Sequence, residues 1–549
     1  MIGHAATSWR APSLEELAAA PVDLLVIGGG IVGAGIARDA ALRGMRTILV
    51  DRHDLGWGTS SRSSRLVHGG IRYLEEGDVA LVFEALRERA VLLHIAPHLV
   101  HPLPFVFPLH AGDRVAPWKL AAGLALYDAL AAFRNVGRHR RLGKRALLAA
   151  EPALRSEGLR GGALYYDAQC DDARLVIATA RSARLAGAAL RTRTAVTALV
   201  RDGSRVVGAT VRDEVTGATA TLRATVVVNA TGPWCDALRQ LEDPAATPLL
   251  RRTKGVHVVV PRSRIGNAHA ITFLSAVDGR VMFVLPWGGF TYIGTTDTDT
   301  TESPDEVAAD AADVRYLLDS VNDRFPEARL VPADVVATWA ALRPLVADDA
   351  GRASAVSREH VIVDGPGGMV SVAGGKLTTY RAMAAAVVDR LARRVPARDG
   401  RGWPAESGSD REPLPGGESA MLEPIRRQGL EAGLEAETVD HLLRHYGTEA
   451  AGLYNLVRKT PALGRRLHPR HPAIAVEAFH AARREMALTV DDVLVRRIHL
   501  YYETTDRGVA AAEATAAAMA AERGWDAAEI GRQAEAYRAL VAGQRVGIA

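Results

Sequence analysis

Cysteine is nearly absent from this chain: 549 residues hold two, Cys170 and Cys235. Neither belongs to a CxxC pair, so no disulfide framework is expected, and two buried thiols in a reducing compartment are. No run approaches the roughly 18 apolar residues that a spanning helix requires. The longest candidate, LAAGLALYDALAAF (Leu120 to Phe133), is short and broken by Asp128, which leaves it a place on a membrane surface rather than through it. The first residues lack a continuous apolar core, and Arg10, Glu15 and Glu16 interrupt them, so no signal peptide is expected. There is no basic tail and no basic stripe studded with aromatics, so no nucleic acid is expected as a partner. Net charge is only +4, a mild excess that favours anionic partners such as a phosphorylated substrate or an acidic membrane surface. What remains is an ordinary globular composition, long enough for two to four domains.

Asp23 to Arg52, DLLVIGGGIVGAGIARDAALRGMRTILVDR, reads as strand, glycine turn, helix and strand. Strands and helices alternate early, then antiparallel-looking strands dominate from about 190 to 300. This pattern predicts an α/β, Rossmann-like nucleotide domain with an inserted mixed-sheet domain. Residues 395–419 are rich in Pro, Gly and charge and read as a linker; the chain beyond them has helical periodicity throughout. The expected divisions are 20–110, 163–243 and 352–396 for the nucleotide domain, 111–162 for a membrane-facing or substrate-domain segment and 244–351 for a substrate domain. The linker proper is then 397–418, and 419–549 is an all-α C-terminal domain.

Gly28, Gly30 and Gly33 fit GxGxxG, and Asp51 follows 18 residues later at the end of the next strand. The motif alone is weak, but between a strand and a helix it is what a dinucleotide requires. Gly28 permits the turn, Gly30 admits a pyrophosphate, Gly33 lets the helix approach the strand, and Asp51 accepts from ribose hydroxyls. No second such unit exists, which favours one tightly held FAD over a pair of dinucleotides. Two later segments return to it: VVVNATGPW, carrying Thr231 and Gly232, and AGGKLTTYR, carrying Gly375, Lys376, Leu377 and Thr378.

Together with TSSRSSRLVHGGIRYLE, YYDAQCDDARL, KGVHVVVP, GTTD and RPL, these blocks resemble the FAD-dependent, aerobic and quinone-linked glycerol-3-phosphate dehydrogenases. The blocks run in family order from about 20 to 385, and LPGG, HYG and EMALTVDDVLVRR resemble the family's C-terminal domain. Two departures stand out: Asp51 where Glu is usual, and Arg65 where Lys is common.

The resemblance implies a fold of the D-amino-acid-oxidase-like type with a helical C-terminal domain. It implies oxidation of glycerol 3-phosphate to dihydroxyacetone phosphate, with electrons passed to a membrane quinone. His257, Arg343 and Lys376 are then the expected catalytic residues. Arg72, Tyr73, Arg343 and Arg358 bind substrate. Thr59, Ser60, Ser61, Ser63, Ser64, His68, Gly69 and Val196 join the glycines around FAD.

Arg343 and Lys376 are 33 residues apart, too close for the long insertion of the α-glycerophosphate oxidases, which stand as the alternative. A non-catalytic flavoprotein is the alternative of another class, and the retained active-site charges speak against it. The acidic run Asp297 to Asp310 has Glu302 where a calcium loop needs glycine, so no metal is expected. Six basic residues from Arg134 to Arg145, after the apolar run, suit an anionic lipid surface. The expected place is cytoplasmic, attached peripherally to the inner face of the cytoplasmic membrane, with homodimerisation left open.

Overall fold

The computed structural model describes residues 10–75, 77–132, 134–347, 360–397, 402–404, 406–419 and 421–545, leaving out the side chains of Arg72 and Arg545. The first unit forms as its patterning requires. Strand Val22–Ile27 leads through the glycine turn into helix Ile31–Leu42, and strand Thr47–Val50 returns beside the first. Gly44 closes the helix at φ +88°, a left-handed conformation that suits glycine.

The first sheet runs in the order His360–Asp364, Val370–Gly374, Thr219–Asn229, Val22–Ile27, Thr47–Val50, Ala189–Arg191. Every contact is parallel except the edge pair of the first two. A parallel sheet must be covered on both faces. Helices Ile31–Leu42, Asp172–Leu185 and Tyr380–Ala392 pack on one. Antiparallel strands Thr194–Asp202 and Arg205–Asp213 fold over the other, where Val206, Ala209 and Val211 meet Leu25, Ile27 and Val50.

The second sheet is mixed and ten-stranded. Its backbone is Leu250–Pro261, paired antiparallel with Ala337–Val346 in a register that sets Thr253 opposite Arg343 and His257 opposite Trp339. Helix Ala311–Arg324 buries one face, and C-terminal helices cover the other.

Two long strands of this sheet depart from the expected divisions. Val100–His110 belongs to it rather than to the nucleotide domain, and Leu159–Cys170, its antiparallel neighbour, crosses the boundary drawn at 162/163. The sequence VHPLPFVFPLH hides a strand because Pro102, Pro104 and Pro108 cannot donate to a ladder.

The C-terminal part is helical from Glu423–Glu431 to Ala527–Arg545. It is fastened to the first domain by buried ion pairs. Asp54 takes Arg496 and Arg497, Arg174 reaches Glu485 at 2.8 Å, and Arg193 reaches Asp492 at 2.8 Å. Removing one member of such a pair costs about 3–5 kcal/mol. The segment read as a linker is also held: Leu414 is fully buried, and the Arg38 guanidinium donates to the carbonyls of Ser409 and Glu412.

Candidate active site

A cleft of about 660 Å³ runs across the C-terminal ends of the parallel strands. Its floor is the glycine turn. A Cβ on Gly33 would overlap the carbonyl of Gly28, and one on Gly28 would press on the Ala230 backbone, so the turn and its neighbouring strand touch only as glycine. Gly30 caps helix Ile31–Leu42, whose amide end faces the cleft and suits a phosphate.

Asp51 accepts from the amides of Gly29 and His53, both at 2.6 Å. Burial pushes its carboxyl up, and the two amides oppose that shift. Thr59, Ser60, Ser63, Ser64, Val196, Thr231, Gly232, Gly375, Lys376, Leu377 and Thr378 also line the cleft. The residues present therefore fit a dinucleotide: close-approach glycines, helix amides, a carboxylate for a ribose and a cationic far end.

Beside the far end lies a second cavity of about 410 Å³, and Ser64, His68, Tyr73 and Arg343 border both. Arg343 projects from strand Ala337–Val346 and is held by Asp297 and the Thr295 hydroxyl, both at 2.8 Å, and by the Thr296 carbonyl at 3.1 Å. A Cβ on Gly255 would occupy the place of this guanidinium.

His257 Nε2 lies 2.9 Å from Ser64 Oγ, and its ring stacks on Trp339 at 4.9 Å. Burial, with Arg343 and Arg65 adding to it, pushes the imidazole down to about 3, so the ring is neutral near pH 7. Nδ1 has no hydrogen-bond partner among the described residues. The Lys376 ammonium lies 3.6 Å above the Tyr73 ring, which fixes both at the mouth.

Not every expected contact is in the cleft. Ser61 is buried away from it. The Ser63 hydroxyl is spent on Asp172 at 2.7 Å. Gly69 leaves room for Tyr127 and Leu86, not for a ring in the cleft, and its amide donates to the Tyr127 oxygen at 2.8 Å. The backbone of Arg72 lies in the turn Ile71–Leu74; its side chain and the whole of Arg358 are outside the described residues.

Other residues hold places that sequence reasoning did not assign to them. Asp167 gathers Tyr127, Arg89 and the Gly69 amide under the His68 segment. Arg65, at φ +53°, is caged by Trp287 at 4.7 Å, Tyr292 at 4.9 Å, Tyr502 at 5.2 Å and Trp339 at 5.5 Å. Asp167 and Asp172 lie inside the YYDAQCDDARL block, so the signal was present as a block without roles for its members.

Fold and site together define a flavoprotein oxidoreductase with a Rossmann-like dinucleotide domain. A family model described as "FAD dependent oxidoreductase" matches residues 23–381, and one described as "C-terminal domain of alpha-glycerophosphate oxidase" matches 407–530. "Glycerol-3-phosphate dehydrogenase 2" of Mycobacterium tuberculosis is 41% identical over 97% of this chain and 90% of its own. "Aerobic glycerol-3-phosphate dehydrogenase" of Staphylococcus haemolyticus is 36% identical over 86% of each. The crystal structure of the Bacillus halodurans glycerol-3-phosphate dehydrogenase complexed with FAD superposes with a TM-score of 0.80 at 31% identity, covering 98% of this chain and 97% of that one. The chain belongs to the FAD-dependent glycerol-3-phosphate dehydrogenase family, and its cofactor is FAD.

Proposed function

We propose that this protein oxidises glycerol 3-phosphate to dihydroxyacetone phosphate and delivers the electrons to a membrane quinone. The observation that carries the reading is the Arg343 fork, bordering both cavities, beside a neutral His257 that lines the cleft and meets Ser64. Bound FAD supplies the hydride acceptor.

The chain's own residues do the rest. Arg343, pre-oriented by Asp297 and Thr295, presents its fork to the substrate's oxygens. His257 takes the C2 hydroxyl proton, directly or through Ser64 Oγ, 2.9 Å from Nε2. A dianionic substrate raises the proton affinity of this ring, against the lowering by burial and Arg343. Lys376 places positive charge at the flavin edge. Arg72 and Arg358 are assigned to the phosphate on family resemblance, with Tyr73 closing over it.

The acceptor reading draws on the second cavity. Its outer wall is helix Pro117–Leu130, through Leu120 and Leu126, and an apolar route of that kind suits a quinone. The helix exposes Trp118 at 74% and Leu126 at 43%, and the nearby helix Val79–Ile95 exposes Val79 and Phe83. Exposed Arg134, Arg138, Arg140, Arg141, Lys144 and Arg145 follow in the chain. Apolar groups beside cations favour peripheral attachment to an anionic leaflet. Among the described residues no helix is long and apolar enough to cross a membrane. The competing acceptor is oxygen, which the oxidase name of the matched C-terminal domain keeps in view.

Anaerobic addition of glycerol 3-phosphate to the purified flavoprotein should bleach its visible spectrum. A quinone should then restore the colour much faster than oxygen does. An unbleached flavin rejects the substrate, and rapid peroxide formation on aeration rejects the quinone.

A further inference from the structure

We propose that Asp171, His445 and His499 form a buried site for a divalent transition cation of the zinc type, which clamps the C-terminal helices to the first domain. The three are far apart in sequence and show no metal-binding spacing, so no motif announces them. In the fold their ligand atoms all lie within 4.8 Å of one another, and all three residues are buried. Asp171 caps helix Asp172–Leu185 of the first domain, whereas His445 ends helix Ala436–Tyr446 and His499 precedes Leu500–Glu503.

The orientation of the rings is the main argument. His445 Nδ1 faces the His441 carbonyl at 2.9 Å, and His499 Nδ1 faces the Val495 carbonyl at 3.0 Å. In a neutral ring each Nδ1 therefore carries the proton, and each Nε2 offers a lone pair. Both lone pairs point at the Asp171 carboxylate, 2.8 Å away for His499 and 3.8 Å for His445. Lone pairs converging on an anion in a buried place need a proton or a cation among them, and one cation serves both rings at once. Imidazoles fixed by a backbone carbonyl at the other nitrogen are also how histidine ligands are usually held.

The arginines nearby add positive field but do not reach the carboxylate: Arg174 pairs with Glu485 at 2.8 Å and donates to the His445 carbonyl at 3.2 Å, and Arg65 approaches Asp172 at 3.7 Å. Among the described residues no arginine or lysine pairs with Asp171. Two imidazoles and one carboxylate suit zinc better than calcium or magnesium, and the second Asp171 oxygen offers a fourth position. Tetrahedral zinc bonds of about 2.0–2.2 Å set ligand atoms roughly 3.3–3.6 Å apart, so the Asp171–His499 pair at 2.8 Å would open and the Asp171–His445 pair at 3.8 Å would close by a few tenths of an ångström.

The test uses the full-length holoprotein, purified without a metal-affinity step from zinc-supplemented culture. Elemental analysis should find about one zinc per chain, lost in Asp171→Asn and His445→Gln with FAD retained. Chelation should lower the Tm, and added zinc, but not magnesium, should restore it. Cobalt exchanged into the wild type should give visible bands at longer wavelength than the flavin. These also serve if the variants do not fold.

Wild-type protein with less than about a tenth of an equivalent of zinc, and a Tm indifferent to chelator and zinc, would overturn the proposal. The triad would then be a protonated histidine–carboxylate pair. Zinc retained in the Asp171→Asn, His499→Gln double variant overturns it equally.

Discussion

Arg343 and His257 owe their positions to atoms their neighbours lack. A methyl group at Gly255 would take the place of the guanidinium, and one at Gly294 would strike the imidazole. Gly255→Ala should therefore keep FAD and lose substrate affinity, raising the KM for glycerol 3-phosphate at least about tenfold through displacement of Arg343. Arg343→Ala should lower kcat/KM for flavin reduction about a thousandfold, since a charge-assisted fork is lost, with the visible spectrum unchanged. An Arg343→Ala variant bleaching at the wild-type rate would remove this residue from the mechanism. His257→Gln should slow anaerobic flavin reduction about 10²–10⁴-fold, the usual range for a lost general base, with little change in substrate affinity. At this scale the blocks singled out Arg343, His257 and Lys376, and the fold brings all three to one cleft. Gly255 and Gly294 were not, because a glycine in a strand does not reveal which distant side chain fills its space.

Helix Pro117–Leu130 is the element with two allegiances. Its outer face presents Trp118 and Leu126, and its inner face sends Tyr127 to Asp167 at 2.7 Å beneath the His68–Gly69 segment. The double change Trp118→Ser, Leu126→Ser should weaken binding to anionic vesicles at least about tenfold, since each large apolar side chain contributes about 1.5–3 kcal/mol when buried. Co-sedimentation with vesicles measures this, and unchanged binding would move the membrane contact elsewhere. Elements with a strong period were read correctly, among them Val22–Ile27, Ile31–Leu42 and Asp172–Leu185. Val100–His110 escaped, because its prolines break the strand signal and its place is fixed by pairing with Leu159–Cys170 across some fifty intervening residues.

The whole molecule should be sensitive to acid. Burial holds His257 and His98 down to about 3 and His480 to about 4, against 6.5 in the unfolded chain. These groups stay neutral when folded and take up protons when unfolded. Their contribution is complete above pH 6.5 and is lost as pH falls, down to about 4 for His480 and about 3 for His257 and His98. The slope is about 1.4 kcal/mol per pH unit for each. Glu449, Glu485 and Glu503, held down to about 2 from 4.5 chiefly by Arg181, Arg174 and His471 against burial, act in the same direction below pH 4.5. Denaturant melts at pH 7.5 and 5.5 should show the loss, and His98→Gln should reduce the proton uptake on unfolding by about one. A stability independent of pH across this range would contradict the burial of these rings.

The clamp on Asp54 and the cage around Arg65 also bear on how the protein is made. The loop that walls the FAD cleft, from Asp51 to Ser64, is bracketed by partners that the ribosome supplies last: Arg496, Arg497 and Tyr502. The glycine cradle is synthesised within the first 33 residues, yet its wall lacks its last anchors, Arg496, Arg497 and Tyr502, until some 470 more have followed. Tight cofactor capture is then expected to be completed late in the life of the chain. A nascent protein stalled after residue 397 should carry every cradle glycine and still release FAD on gel filtration.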